Sequence, residues 1–193
     1  MKRKLIIALA LCLALALGIG GTMAYLTATT GSVVNTFTIG NVGLTLEETK
    51  GTLDAEGKHQ FKMVPGNTIE KDPTVTVTAG SEDCWLFVKL VKSANFDNYL
   101  TYAVDTSEGA WTALDGHPGV YYREVKQADT VKSFSVLKDD RVQVNTDVEN
   151  FQETTQTPAF VAPTLTISAA AIQQANIADA ATAYDNLPAA FKG

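Results

Sequence analysis

The chain has 193 residues, of which 46% are hydrophobic, and its 21 acidic and 15 basic side chains give a formal net charge of −6. An acidic surface repels nucleic acid and anionic lipid, so neither is expected as a partner. The length and the apolar fraction favour a globular protein with one hydrophobic core.

The N-terminus has the organisation of an export signal. Basic residues at positions 2–4 precede an unbroken apolar run, Leu5 to Ile19, and glycines and small residues lead to Ala24. This order is typical of a secretory signal peptide and predicts that residues 1–24 are removed by cleavage between Ala24 and Tyr25. The apolar run is shorter than the roughly 20 residues that a spanning helix needs, so we expect no stable membrane span after cleavage.

Cleavage changes the charge and the cysteine content of the exported chain. Three basic residues leave with the leader, so the formal charge changes from −6 to −9. Cys12 leaves as well, and Cys84 becomes the only cysteine. An exported protein without a disulfide is typical of a Gram-positive surface. The apolar run around Cys84 predicts that its thiol is buried as a small hydrophobe.

The first β-structure is predicted directly after the leader. Val33, Phe37 and Ile39 fall on one side of an extended chain, and Val42, Leu44 and Leu46 continue the alternation after a Gly-Asn pair. This pattern predicts a strand pair or a bulged strand. The polar stretch that follows, residues 47–60, has no hydrophobic period and is predicted to be a turn or surface loop.

The middle of the chain contains the strongest strand patterns. Threonine and valine alternate over residues 74–78, which predicts a strand. Residues 85–91 are apolar on both sides of the alternation, which predicts a central strand of a sheet covered on both faces. A further strand is expected at 100–104, and residues 111–114 and 119–125 are predicted to form a hairpin.

The last third is predicted to alternate between strands and irregular connections. A turn is expected at residues 138–140, before a short strand that contains Val142 and Val144, and residues 145–163 are read as a long exposed connection. The last strand is predicted from Thr164 to Ser168, with an extension to Gln173, because the alternate residues keep a single apolar face: Leu165, Ile167, Ala169 and Ala171.

Two interpretations remain open for the alanine-rich tail. One is the extended strand just described, followed by a short helix over residues 180–187 that Asp179 caps and Pro188 ends. The alternative is a single longer helix from Ala169 onward, because alanine prefers helix. Together the patterns predict about eight to ten short strands, and hence an all-β fold, an antiparallel jelly-roll-like β-sandwich with short helices in its connections, as one domain over residues 25–193.

The sequence contains no motif that supports catalysis. It lacks the HExxH zinc spacing, the GxSxG nucleophile elbow, and the glycine-rich nucleotide motifs GxxxxGK[ST] and GxGxxG. Its two histidines, His59 in a polar loop and His117 in a Gly/Pro turn, are the candidates for metal binding, and we expect both to face solvent. We therefore expect no catalytic site, no cofactor and no metal.

The segment that follows the leader favours assembly. Residues 25–37 are rich in threonine and become a free N-terminus only on cleavage. An extended terminus of this kind is suited to β-augmentation, in which the strand of one subunit completes the sheet of another. Identical subunits joined head to tail grow into a filament. The candidate inter-subunit residues are Tyr25, Leu26, Val33, Val34 and Phe37; the alternative is that the segment pairs within its own sheet.

The chain resembles the TasA and camelysin family of exported proteins, whose signal is cut by a specialised signal peptidase of the SipW type. The resemblance covers residues 24–91 with good specificity and is weak beyond. It rests on the leader junction Met23 to Thr27, the strand residues Asn35 to Leu46 with their Phe-Thr-x-Gly pattern, the Pro-Gly turn within Met63 to Ile69 that leads into Thr74 to Val77, and the apolar strand Trp85 to Val91.

The resemblance implies a secreted jelly-roll β-sandwich, located in the extracellular matrix or at the cell surface. It implies that the chain polymerises into biofilm matrix fibres by donor-strand complementation, with the new N-terminus as donor. The main partner is then the chain itself, with a minor anchoring or accessory subunit as a further candidate. Camelysin-type members are labelled metallopeptidases, so a surface metalloendopeptidase is one alternative, and a monomeric surface binding module is the other.

Overall fold

The computed structural model describes residues 41–146 and 160–193, which belong to the unit formed by residues 40–193. These residues form the following strands and helices: β1 (Leu44–Glu47), β2 (Thr52–Leu53), β3 (His59–Gln60), β4 (Thr68–Glu70), β5 (Thr74–Val77), β6 (Cys84–Lys92), α1 (Phe96–Tyr99), β7 (Leu100–Val104), β8 (Thr112–Ala113), β9 (Val120–Val125), β10 (Ser133–Ser135), β11 (Leu137–Val144), β12 (Leu165–Gln173), α2 (Ala180–Asp185) and α3 (Ala189–Lys192). None of the helices in these two ranges is long and apolar enough to cross a membrane.

One layer of the sandwich consists of two three-stranded sheets, with the orders β1, β5, β10 and β4, β11, β7, and we describe them together as the first sheet because backbone hydrogen bonds link them. β5 pairs antiparallel with β10, and β4 pairs antiparallel with β11. Two backbone bonds join the halves, from Val136 N to Pro73 O at 3.0 Å and from Lys71 N to Asp140 O at 2.8 Å. β1 lies beside β5, and β7 lies beside β11. The interruptions between β4 and β5 and between β10 and β11 explain why the described residues hold twelve strands rather than the eight to ten that we predicted.

The interruption in β11 corrects one prediction. Residues 138–140 do not form a turn that separates two strands, because they lie inside β11 as a bulge, with a register shift between Leu137 and Val142. Asp139 and Asp140 have φ angles of 56° and 53°. Aspartate tolerates this left-handed region better than most residues, so the strand accommodates the turn as a bulge. The residues on both sides of the bulge keep their strand pairing.

The second sheet has the order β12, β6, β9, β8, and all its pairs are antiparallel. β6 is therefore a central strand, as predicted. Its alternate residues Cys84, Leu86, Val88 and Leu90 face the first sheet and form the main core with the following residues of that sheet and its connections: Val75, Val77, Phe96, Leu100, Val104, Phe134, Val136, Leu137, Val142 and Val144. The predicted β-sandwich is confirmed.

A second apolar layer covers the outer face of this sheet. Trp85 and Phe87 of β6 pack with Tyr184 and Leu187 in the C-terminal helical segment. The ring centroids of Phe87 and Tyr184 are 5.9 Å apart. β6 is consequently buried on both faces, which explains its uninterrupted apolar sequence.

Of the two interpretations of the C-terminal segment, the extended strand followed by a short helix is confirmed. β12 pairs with β6 along its whole length, from Leu165 opposite Lys92 to Gln173 opposite Cys84. The alternative helix from Ala169 is wrong, because pairing with a buried strand outweighs the helix preference of alanine. Asp179 caps α2 as predicted, and its Oδ1 accepts a hydrogen bond of 2.7 Å from Thr182 N.

Residues 47–60 also differ from prediction. They hold a hairpin of β2 and β3, in which Thr52 lies opposite Gln60 and Leu53 opposite His59. Periodicity gave no signal because each strand has only two residues, all but one of them exposed. We call residues 51–61 the β2–β3 hairpin.

Candidate functional site at an open sheet edge

β12 is an edge strand without the usual protection. Its only partner among the described residues is β6. Its nine residues, LTISAAAIQ, include no charge and no proline. Edge strands of natural proteins are commonly short or carry lysine, proline or a bulge, because a long uncharged edge is a template for pairing with another strand.

The register of β12 shows which of its backbone groups face outward. Ser93 N donates to Thr164 O at 2.9 Å, and Gln174 N donates to Asp83 O at 2.7 Å. Hydrogen-bonded pairs alternate along an antiparallel ladder, so the even-numbered residues bond to β6 and the odd-numbered ones point away from it. The outward-facing residues are Leu165, Ile167, Ala169, Ala171 and Gln173. Within the described parts of the chain, none of their outward N–H or C=O groups has a backbone partner.

β1 lies beside β12 at the same side of the sandwich. It is the edge of the first sheet, and Thr78 N donates to Gly43 O at 2.9 Å, which orients the ladder. By the same alternation, the backbone groups of Leu44 and Leu46 face away from β5. Two sheet edges with outward backbone groups therefore meet along one seam, which we call the β1/β12 seam.

The hydrophobic core is incompletely covered at this seam. Leu46 shares a face with Val75, its cross-strand partner, yet Leu46 is 36% exposed and Val75 is fully buried. The core-facing residues of β12 are also only half-buried: Leu165, Ile167, Ala169 and Ala171. Two of these four are alanines, whose small side chains leave room for larger ones. An extended segment paired with the edge of β12 would cover part of this apolar surface and satisfy the outward backbone groups of β12.

One end of the seam opens into a groove of about 640 Å³. Its apolar floor reaches the main core, through Met63, Ile69, Phe96, Leu100, Val142 and Leu165. Its rim is polar and comes largely from the β2–β3 hairpin, opposite the first residues of β12. This volume lies within the range of pockets that bind small molecules or single side chains of a partner.

The groove rim is organised by two neighbouring residues in the link between β4 and β5. Lys71 Nζ lies 2.8 Å from Glu48 Oε2 and 4.9 Å from the centroid of the Phe61 ring. Asp72 accepts hydrogen bonds from Thr49 N at 2.9 Å, Thr49 Oγ1 at 2.5 Å and Lys50 N at 3.0 Å. Partial burial would raise the pKa of Asp72, but these bonds outweigh it and lower the pKa.

The two histidines occupy separate environments, and both are half-buried against aromatic rings rather than facing solvent as predicted. His59 lies on β3, where its Nδ1 is 2.7 Å from Lys50 O and its ring stacks on Phe61. His117 lies in the turn before β9, and its ring centroid is 4.4 Å from that of Tyr184. In residues 41–146 and 160–193, no group of three or more His, Cys, Asp or Glu side chains is arranged to hold a metal ion.

Cys84 is buried at the start of β6, within the main core. Burial raises the pKa of its thiol, which disfavours the reactive thiolate. The prediction that Cys84 packs as a small hydrophobe is confirmed.

The predicted cleavage and donor residues all lie outside the described residues: Ala24, Tyr25, Leu26, Val33, Val34 and Phe37. What the sequence analysis missed is the other half of the site, the outward edge of β12 and the groove beside it. The absence of charge from residue 164 to residue 173 was the available signal. It identifies an unprotected edge only when the neighbours of the strand are known.

Comparison of the chain with models of known protein families, with curated proteins and with solved structures found no match in any of the three.

Proposed function

We propose that this protein is a secreted structural subunit that assembles into extracellular matrix fibres by head-to-tail β-strand donation. The observation that carries the proposal is the uncharged nine-residue edge of β12, with outward backbone groups and half-buried apolar side chains. The donor is the segment from Tyr25 to Phe37, which signal cleavage frees. The β1/β12 seam of the next copy is the acceptor.

The chemistry of donor and acceptor is complementary. Val33 and Phe37 lie on one apolar side of the donor at the spacing of a strand, and Ile39 directly after the donor continues that side. The acceptor offers the apolar side chains of Leu46 and Ile167, the small side chains of Ala169 and Ala171, and the groove at one end. Main-chain bonds would supply affinity and alternate side chains would supply register. Because the donor and acceptor surfaces differ, the contact does not close on itself and a linear fibre grows.

Two further features of the proposal follow from the leader and the surface. The protein is exported and acts outside the cell, in the matrix or at the cell surface, with itself as principal partner. Its role is structural and involves no catalytic step. The acidic surface keeps unassembled subunits soluble, since like charges repel.

The first experiment measures size by light scattering, over time, on the chain from Tyr25 to Gly193 and on a parallel sample that lacks residues 25–32. We expect large species only from the longer chain. A stable monomer in both samples would refute the fibre function and favour a monomeric binding module that uses the groove. Growth in both samples would show that residues 25–32 are not needed for donation.

A point substitution makes the same test sharper. Phe37→Asp would place an unpaired charge in the apolar seam, at a cost of several kcal/mol, and should abolish assembly. Thr36→Asp is the matched control, since it adds the same charge on the opposite side of the strand and should assemble. Assembly of both variants would remove the donor role of Phe37, whereas unfolding of the Phe37→Asp monomer would place that residue in its own core.

A further inference from the structure

The β2–β3 hairpin stands apart from both sheets of the sandwich. Among the strands that the structure describes, β2 pairs only with β3, and neither of them joins the first or the second sheet. A two-stranded ribbon is at best marginally stable in water by itself. Its position therefore depends on the contacts that hold it to the sandwich.

The hairpin is well ordered internally. Asp54 accepts hydrogen bonds from Lys58 N at 2.7 Å, Glu56 N at 3.1 Å and Gln60 Nε2 at 2.8 Å. The backbone bond from Lys58 is the largest cause of a lowered pKa at Asp54. At the base of the hairpin Gly51 has a φ of 83°, and a Cβ there would lie 2.9 Å from the Phe61 ring. These contacts hold the hairpin together as one unit.

Residues 48–50 lead into the hairpin, and we call them its stem; they are attached to the sandwich at two neighbouring residues, Asp72 and Lys71. Asp72 takes three hydrogen bonds from the stem of the hairpin at Thr49 and Lys50. The adjacent Lys71 pairs with Glu48, and Lys50 Nζ lies 3.2 Å from Glu70 across an exposed bridge. The Lys50–Glu70 pair is exposed and contributes little, whereas the side chains of Lys71 and Glu48 are only 11% and 12% exposed. Asp72 and Lys71 are therefore the two main polar attachments of the stem.

This attached unit forms one wall of the groove. Residues 162–166, at the beginning of β12, line one side of the groove. The hairpin lines the other side with five residues: Asp54, Lys58, His59, Gln60 and Phe61. A strand that continues along β12 into the groove would therefore pass between the edge of the sheet and the hairpin. A wall that is already in place lowers the ordering cost of binding, because less conformational freedom is lost when the partner arrives.

We infer that the β2–β3 hairpin is a clasp that retains the donated strand of a second copy, with Asp72 as its positioning residue. The inference rests on the proposed function, because the strand it retains is the donor of that assembly. It assigns to the hairpin a regulatory role: loosening the stem at Asp72 weakens retention of the strand without disturbing either sheet.

The test uses Asp72→Asn in the chain from Tyr25 to Gly193. The amide keeps the shape of the carboxylate but removes the charge and one acceptor. We expect amide hydrogens of residues 52–60 to exchange at least about tenfold faster while those of β6 are unchanged. The concentration needed for assembly should rise about tenfold, the effect of weakening charge-assisted hydrogen bonds.

Asp105→Asn is the matched control. Asp105 accepts from Ser107 N at 3.1 Å and Ser107 Oγ at 2.7 Å, so the same chemistry is perturbed. Asp105 follows β7, which lies at the edge of the first sheet opposite β1. Loss of the Asp105 carboxylate should therefore leave the concentration needed for assembly unchanged. An equal rise in both variants would attribute the effect to lost carboxylates in general and overturn the clasp.

A second variant covers the case in which Asp72→Asn leaves the hairpin in place. Replacing residues 52–60 by two glycines removes the wall, and both sheets should fold because the hairpin pairs with neither. We expect weaker assembly from this variant as well. Unchanged or improved assembly with a loosened or deleted hairpin would overturn the clasp and leave the fibre function standing. A monomeric unmodified chain would overturn both.

Discussion

Proline substitutions at two adjacent residues of β12 separate the folding role of this strand from its role in assembly. Ala170 lies opposite Phe87 as a hydrogen-bonded pair, so its N–H is directed to β6. Ala169 has its N–H on the outward side. Proline has no N–H, so the same change removes an internal ladder bond at one position and an outward-facing donor at the next.

The two variants should differ clearly in stability. Ala170→Pro loses one ladder bond, worth about 0.5 to 1.5 kcal/mol, and leaves a buried carbonyl without a partner at a further cost of about 1 to 3 kcal/mol. The expected loss of about 1.5 to 4.5 kcal/mol is a large part of the roughly 5 to 15 kcal/mol that stabilises a domain. Ala169→Pro breaks no ladder bond between described strands and should stay within about 1 kcal/mol of the unmodified chain.

The stability difference is measured by urea unfolding of the form that lacks residues 25–32. The fluorescence of the buried Trp85 and Trp111 monitors the unfolding. Light scattering of the chain from Tyr25 then measures assembly. We expect Ala169→Pro to fold and fail to assemble, because one carbonyl of the donated strand loses the N–H group that would donate to it. Equal destabilisation by both prolines would refute the register argued here, and normal assembly of Ala169→Pro would show that the β12 edge is not the acceptor.

Two further predictions concern the second apolar layer and the thiol. Phe87→Ala should destabilise the domain by about 3 to 5 kcal/mol in urea unfolding, because Phe87 is fully buried against Tyr122 and Tyr184. Phe191 is only half-buried, so Phe191→Ala should lower the free energy of unfolding clearly less. Equal losses of stability would contradict the packing of Phe87 in a second apolar layer. Cys84 should react with iodoacetamide at pH 8 at least about 100-fold more slowly in the folded chain than in urea, since burial raises its pKa and blocks access; rapid reaction would show that the start of β6 opens readily.

Several elements could be predicted because their sequence pattern is local or because both faces of the strand are apolar. The Thr/Val alternation of β5, the apolar run of β6 and the Asp179 cap of α2 each depend on neighbouring residues, and all three are confirmed. β12 was predicted from its single apolar face, although helix preference alone favours the alternative. The helix α3 after Pro188 was not predicted, because four residues give no measurable periodicity.

Other features depend on partners that are distant in the chain. The bulge at Asp139 and Asp140 exists because residues on both sides of it pair with β4 and β7. The β2–β3 hairpin is held by Asp72, 22 residues beyond Lys50. No pattern within either segment contains this information.

The sequence by itself determined the class of the fold, the burial of β6 and Cys84, and the expectation of an exported chain with a β-prone terminus, because composition and the period of two act within a few residues. Only the tertiary structure decided that β12 is an edge among the strands of residues 41–146 and 160–193, that its odd-numbered backbone groups face away from β6 and that a groove adjoins it. The physical reason is that a strand has the same sequence pattern whether one or both of its sides are paired. Which side stays open depends on where the rest of the chain places its strands.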